Sequence, residues 1–311
     1  MNKKVSVLFQ IDPLNKLNLE TDSTISLIKE AMRINLEISI CNPENIRFSG
    51  KSAITISQRI VNQDLKVGRK EEVEIKEFDF FFIRQDPPIN MSYLTNCYLL
   101  EMHGKFNKKP YFVNDPSGIK NFTEKIFPLY FVNIIPSTLI SSNLNSMYFM
   151  MEKFGTVVLK TLYNKGGHDV YKVSKKEDAE KIFKKLTQKF KNQVVVQEFL
   201  EEVKLGDKRI IILDGSPVGV VNRIPKKGNF KANLHLGGIA QKTVLTGKER
   251  KICDVLRPFL KKNNLFFVGI DVINEKLTEI NVTSPTGINQ IDDLYKTNLS
   301  GLVWKKLLKK I

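Results

Sequence analysis

The stretch Phe267-Val268-Gly269-Ile270-Asp271-Val272, followed after residues 273–276 by Leu277-Thr278-Glu279-Ile280-Asn281-Val282-Thr283-Ser284-Pro285-Thr286, sets two carboxylates and an amide into strands that otherwise carry apolar side chains. Strand side chains alternate, so Glu279 and Asn281, two apart, share a sheet face. Asp271 joins that face when the connecting loop has three residues, Asn274, Glu275 and Lys276, which sets it opposite Glu279. A two-residue loop puts the two carboxylates on opposite faces. Hard oxygen donors in this pattern suit Mg²⁺, which takes one or two carboxylates together with substrate phosphates. The polar face of an exposed hairpin has the same spacing, so the rest of the chain must decide between the two.

Upstream of this hairpin the pattern is α+β. Residues 157–161, 170–173 and 194–199 read as strands, and a helix between the last two is opened by a capping box from Ser174 to Glu177. Residues 208–213 and 217–224 flank Asp214-Gly215-Ser216, a hairpin turn signal. A second capping box, Thr246 to Glu249, opens the helix that leads into the strand at 266–273. The first 120 residues have another rhythm. Strands at 5–11, 36–40, 78–83 and 111–113 alternate with helical segments such as 23–33, which predicts a parallel α/β unit. Ligands of such sheets bind beyond the carboxyl ends of the strands, where Asp12-Pro13 and Arg84-Gln85-Asp86-Pro87-Pro88 fall.

With 311 residues, 42% of them hydrophobic, the chain has material for more than one core. No apolar run has the length of a membrane span. The three cysteines, Cys41, Cys97 and Cys253, are odd in number and far apart, which fits a reducing, cytoplasmic compartment. The net charge of +16 comes from lysines scattered over helix faces, a solvated surface rather than a nucleic-acid patch. His103, His168 and His235 have no metal-ligand spacing.

The run from Glu279 to Thr286 resembles the terminal signature of the prokaryotic glutathione synthetases, and other motifs match that family in order. These are Ile11-Asp12-Pro13, Asp22-Ser23, Arg84 to Pro88, Glu124-Lys125, Leu159-Lys160, Gly166-Gly167, Gly206-Asp207-Lys208-Arg209, Arg223-Ile224-Pro225 and Phe267 to Asp271. The resemblance implies an α/β fold: a parallel pre-ATP-grasp domain at 1–120, then an ATP-grasp domain at 121–311 with subdomains at about 121–200 and 201–311. It implies ATP as co-substrate, held by Lys125, Lys160, Gly166, Gly167, Gln197, Glu198, Phe199, Leu200 and Lys208. Asp271, Glu279 and Asn281 match the family's ligands for Mg²⁺ or Mn²⁺. Arg209 lies near the phosphates and Arg223 near the reacting carboxyl, as catalytic groups. Asp22, Ser23, Arg84, Asp86, Asn281, Ser284, Pro285 and Thr286 fall in the substrate site.

The activity so implied is ATP-dependent ligation of γ-glutamylcysteine to glycine through an acylphosphate, by a homo-oligomer, commonly a tetramer in the family. Two departures bear on it. The phosphate loop, Tyr163 to Asp169, keeps only Gly166 and Gly167, with Lys165 adding charge. Where the family's lid carries two arginines, this chain has Lys231 and Ile239, with Lys242 nearby, and an ammonium does not reproduce a bidentate guanidinium. Another ATP-grasp ligase, or a nucleotide-binding regulatory module without catalysis, would keep part of the same pattern.

Overall fold

The structure is a computed structural model that describes residues 4–164 and 166–311, leaving aside the side chain of His235. The charge expected from Lys165 lies outside the described residues. The chain builds three sheets in sequence order. The first comprises β1 (Ser6–Gln10), β2 (Glu37–Cys41), β3 (Arg47–Ser49), β4 (Ser52–Ile60), β5 (Val67–Glu74), β6 (Phe80–Ile83) and β7 (Tyr111–Val113). Around it lie α1 (Ser23–Arg33), α2 (Met91–Phe106) and α3 (Pro116–Asn121). Strands β2, β1, β6 and β7 pair in parallel in that order. They are the four strands the sequence predicts. Strands β3, β4 and β5, which the sequence pattern did not reveal, extend the β2 edge as an antiparallel meander.

Burial on both faces explains the unbroken apolar run of β6, all four of whose residues are buried. Phe9 stacks on Phe82 at 4.5 Å, and Trp304 meets both rings while its Nε1 donates to the Leu27 carbonyl at 2.9 Å. One hydrophobic core thus joins Val7, Phe9 and Ile28 to Val303, Trp304 and Leu307, across the boundary expected near residue 120. His103 is also core. Its Nδ1 accepts from the Ala53 amide at 3.0 Å and its Nε2 faces the Lys109 carbonyl at 2.8 Å, a neutral tautomer whose pKa burial lowers.

The second sheet, in the order β10-β9-β11-β8, holds β8 (Thr138–Ser141), β9 (Val157–Thr161), β10 (Val170–Val173) and β11 (Val194–Glu198), backed by α4 (Leu144–Phe154) and α5 (Lys176–Leu186). Helix α5 starts one residue later than the expected capping box requires. Its N-cap is Lys175, with no side-chain cap, so Ser174 lies outside the helix. The third sheet, β14-β13-β12-β15-β16, holds β12 (Asp207–Leu213), β13 (Ser216–Ile224), β14 (Ile239–Gln241), β15 (Phe267–Ile273) and β16 (Lys276–Asn281). Helix α6 (Gly247–Lys262) carries the Thr246–Glu249 capping box with both bonds made, and α7 (Ile288–Tyr295) and α8 (Leu299–Leu307) close the chain.

The third sheet has one largely apolar face and one divided face. Ile210, Ile212, Val268, Ile270 and Val272 pack with α6. On the other face Ile211, Leu213 and Phe267 join the first core, whereas Asp207, Arg209 and Asp271 continue the same alternation toward the opposite end. Asn114, just beyond β7, pins this sheet to the first. Its Nδ2 donates to the Phe267 and Val282 carbonyls, both at 2.7 Å, and its Oδ1 accepts from the Phe267 amide at 2.7 Å. Asn114→Ala strands three buried backbone groups, so we expect about 2–4 kcal/mol lower stability in urea unfolding. Asn114→Asp, which cannot donate, should lose most of the same amount.

Candidate active site

Strands β15 and β16 meet in a two-residue turn, Asn274 and Glu275, with φ of 48° and 59°. The expected three-residue loop is therefore corrected. Ile273 pairs with Lys276 and Val272 with Leu277, after which the register shifts so that Asp271 faces Glu279 and Gly269 faces Asn281. The extra residue is Thr278, a β-bulge whose Oγ1 donates to the Asp271 carbonyl at 3.1 Å. The bulge supplies the one-residue offset that the loop does not, and both carboxylates share the divided face. Asn281 Nδ2 lies 3.4 Å from Asp271 Oδ2.

Asp271 is buried and clamped by two guanidinium groups. Arg209, its cross-strand partner on β12, donates from Nε at 2.6 Å and Nη2 at 3.0 Å, and Arg223 Nη2 lies 3.0 Å away. Burial alone raises the pKa of this carboxyl, but Arg209 and Arg223 outweigh it and hold the group well below the usual carboxylate range. Asp207 pairs with Arg223 at 2.6 Å, yet its Oδ1 is buried without a partner. Burial, against the pull of Arg223, pushes its pKa up to about 6. Glu124, immediately before Lys125, accepts from Thr283 Oγ1 at 2.7 Å, and burial raises its pKa too.

A cleft opens beside this cluster, between the second and third sheets. Lys125, Lys160, Gly166, Gly167, Gln197, Glu198, Phe199, Leu200, Asp271 and Glu279 all line it. Lys160 donates to Gln197 Oε1 at 3.0 Å and lies 4.0 Å from Glu279 Oε1, and burial lowers its pKa against the pull of Glu279. Lys125 donates to the Asn164 carbonyl. Lys231 reaches in from the lid segment to the Gly167 carbonyl at 2.7 Å, whereas Ile239 is exposed and Lys242 sits over the Tyr295 ring. Lys208 is not brought to the cleft. It alternates with Arg209 and pairs with Glu249 at 2.9 Å on the α6 side of the sheet.

Around the turn after β16 the remaining candidates gather. Arg84 is buried, donating from Nε to Thr24 Oγ1 at 3.0 Å and from Nη2 to the Pro285 carbonyl at 3.1 Å, with Nη1 unpartnered. Asp22 caps α1 through the Thr24 amide, Ser23 Oγ accepts from the Ile288 amide at 3.3 Å, and Ser284 Oγ donates to Asp86. Arg209 holds the same turn from the other side, donating from Nη1 to the Thr286 carbonyl at 3.1 Å. Gly269 permits that approach, since a Cβ there would stand 2.9 Å from Pro285 Cβ. Asp207 was missed as a candidate, although Gly206-Asp207-Lys208-Arg209 holds it in plain view. The lid residues Phe230, Ala232 and Asn233, which also line the cleft, carried no signal.

Among the described residues no group of three or more His, Cys, Asp or Glu side chains could enclose a metal. Two carboxylates and an amide on one face do fit Mg²⁺ or Mn²⁺ in donor type, because such an ion keeps substrate oxygens in its shell.

The architecture is that of the ATP-grasp ligases. The chain is similar to the ATP-grasp ligase PsnB (TM-score 0.66, 14% identity, 99% of both chains). It is also similar to D-alanyl-alanine synthetase A from Vibrio cholerae (TM-score 0.61, 14% identity, 98% of this chain and 99% of the other). Residues 5–120 match the prokaryotic glutathione synthetase N-terminal domain, and residues 124–296 match the prokaryotic glutathione synthetase ATP-grasp domain. Glutathione synthetase of Bradyrhizobium diazoefficiens is 37% identical, with 99% of each chain covered. That of Prochlorococcus marinus subsp. pastoris is 38% identical, over 98% of this chain and 99% of its own. The chain belongs to the prokaryotic glutathione synthetase family, and is an ATP-dependent carboxylate–amine ligase. No helix among the described residues is long and apolar enough to cross a membrane.

Asp271→Asn leaves two buried guanidinium groups short of a counter-charge, and we expect about 3–5 kcal/mol lower stability. Asp207 makes stability depend on pH in the acidic range. A carboxyl whose pKa is raised on folding stabilises below the unfolded value near 3.8 and loses that contribution as pH rises through about 6. Asp207→Asn should therefore flatten the unfolding free energy between pH 4 and 6.

Proposed function

We propose that the chain joins γ-glutamylcysteine to glycine. ATP would phosphorylate the cysteinyl carboxylate to an acylphosphate plus ADP. The glycine amine would then displace phosphate, forming the amide and giving up one proton. The observation that carries this reading is the adjacency of two clusters. The cleft with Lys125, Lys160, Asp271 and Glu279 touches the Arg84–Asp86–Ser284 cluster through Arg209, which bonds both Asp271 and the Thr286 carbonyl.

In this reading Lys125 and Lys160 are point charges for ATP phosphates, with the amides of Gly166 and Gly167 beside them. Gln197 to Leu200, at the end of β11, meet the adenine. Asp271, Glu279 and Asn281 would hold Mg²⁺ or Mn²⁺, which would neutralise phosphate charge. Asn281 now points Nδ2 toward Asp271, so ligation by its Oδ1 needs the amide turned over. Arg223 and Arg209 give up Asp271 in part and turn toward the developing negative charge. Arg84, with one unpartnered Nη, and Asp86 hold the dipeptide, and the turn from Ser284 to Thr286 receives glycine. Lys208, paired with Glu249, acts on the nucleotide only if that pair opens. The pre-ATP-grasp and ATP-grasp domains, divided near residue 120, work as one homo-oligomeric, cytoplasmic enzyme.

Two measurements test this. Direct detection of amide product from γ-glutamylcysteine with glycine, alanine and glutamate, under saturating ATP and Mg²⁺, should rank glycine first. Product only with glutamate or a peptide acceptor points to another ATP-grasp ligase, and nucleotide binding without any product points to the regulatory alternative. Calorimetry on Lys160→Ala should find ATP binding at least tenfold weaker, about 1.4 kcal/mol, with dipeptide binding little changed. Equal losses for both ligands contradict a phosphate role.

A further inference from the structure

The chain from Thr283 to Thr286, between β16 and α7, makes no backbone–backbone hydrogen bond among the described residues. A turn without main-chain bonds keeps one shape only where other groups hold it. Side chains do this instead, one for each residue. Glu124 accepts from the Thr283 hydroxyl at 2.7 Å, and Asp86 accepts from the Ser284 hydroxyl. Arg84 and Arg209 donate to the Pro285 and Thr286 carbonyls, both at 3.1 Å. Arg84, Asp86 and Arg209 already have places in the proposed reaction. Glu124 has none, although burying a carboxylate is costly and Glu124 is only 7% exposed.

Glu124 is fixed at its own backbone as well. Its segment runs along the edge of β16 that faces away from β15. There the Leu277 amide donates to the Ile134 carbonyl at 2.8 Å and the Ile280 amide to the Glu124 carbonyl at 3.1 Å. Phe122, Phe127 and Phe131 pack the segment onto Phe259 of α6, within the core of the third sheet. Consecutive residues then serve the two clusters. Glu124 bonds the turn, and Lys125 lines the cleft and donates to the Asn164 carbonyl. A single peptide unit, anchored on β16, therefore separates the hold on the turn from the cation proposed to meet phosphate.

We propose that Glu124 is a positioning residue. Through Thr283 it keeps the turn after β16 at a fixed spacing from Lys125, and so sets the incoming amine against the phosphorylated carboxyl. The proposal rests on the reading that this turn receives glycine and Lys125 a phosphate. Glu124 acts through Thr283 and on no reacting atom. A misplacement of about 1 Å costs on the order of 100-fold in rate, so even a small loosening of the turn counts.

The first test measures amide product against glycine concentration at saturating ATP and γ-glutamylcysteine. Thr283→Val and Glu124→Ala should each raise the KM for glycine about tenfold, the effect of losing one bond to a charged group. The KM for ATP should stay within about threefold, because the Glu124 backbone still anchors Lys125. The double variant should be no worse than the poorer single one, since both remove the same bond. Thr283→Ser keeps the hydroxyl and Glu124→Gln keeps an accepting oxygen, so each should restore the wild-type KM. A second readout needs no turnover. Hydrogen exchange in the peptide 282–288 should be about tenfold faster in Glu124→Ala and return to the wild-type rate in Glu124→Gln. Losses that add in the double variant, a lower kcat with both KM values unmoved, or unchanged exchange in that peptide each overturn the proposal. If the wild-type protein forms no amide with any amine, the reading of the reaction fails. Faster exchange in Glu124→Ala then still upholds the hold on the turn, and unchanged exchange overturns it.

Discussion

The charged end of the third sheet depends on one extra residue in β16, Thr278, between the Val272–Leu277 and Asp271–Glu279 pairs. With a two-residue turn and no bulge, Glu279 would face α6 and its apolar partners while Asp271 faced the cleft. Thr278 shifts the register and bonds the Asp271 carbonyl, and the strands continue paired beyond it. Once Asp271 is buried, its neighbours follow from electrostatics. An isolated carboxylate there would be protonated or expelled, because desolvation penalises its charge. Arg209 faces Asp271 across β12 and β15, Arg223 faces Asp207 across β12 and β13, and Asp207 in turn compensates Arg223. The cluster is a consequence of strand pairing as much as of side-chain chemistry.

Such a cluster holds its shape only on a rigid support, which the divided face provides. Phe267 and Ile211 continue the alternation that contains Asp271 and Arg209, and they sit in the core that also holds Phe9 and Trp304. Asn114 fixes the edge of that arrangement through three backbone bonds, and Arg84 and Arg209 grip the turn after β16 from opposite sides. The first and third sheets are therefore tied together, although Val113 and Asp207, their nearest strand residues in sequence, are 94 positions apart. The second sheet meets them across the cleft, with Lys276 on β16 paired to Glu198 on β11 and the Ile89 amide bonded to the Tyr163 carbonyl.

Most of the elements were legible because their sequence signals are local. Phe80 to Ile83 is apolar at every position, Asp214-Gly215 supplies the positive φ of a hairpin turn, and Thr246 with Glu249 closes both bonds of its box. What escaped depends on tertiary context. Strand β5 carries Arg69, Lys70, Glu71 and Glu72 on a half-solvated meander, which reads as loop in sequence. The Thr278 bulge looks like any strand threonine. Lys208 and Arg209 are equally basic neighbours, and only the parity of β12 decides that Arg209 faces Asp271 while Lys208 faces Glu249. Family resemblance supplied candidate roles, but register supplied their geometry.

The same electrostatics bears on how a triphosphate would enter. Every carboxylate at the mouth of the third sheet already has a cation beside it: Asp271 has two arginines, Asp207 has Arg223 and Glu279 has Lys160. Bringing a phosphate anion and a divalent cation together into such a site exchanges partners instead of adding uncompensated charge. On the proposed reaction Lys160 would turn to phosphate and Glu279 to the metal, which would keep the buried charge balanced. Either ligand alone would leave one side of the exchange unmatched in a poorly solvated cleft, where an unpaired charge is most costly. On the proposed reaction, nucleotide and metal are therefore expected to bind with positive coupling, and the paired network that stabilises the empty cleft is what makes that coupling strong.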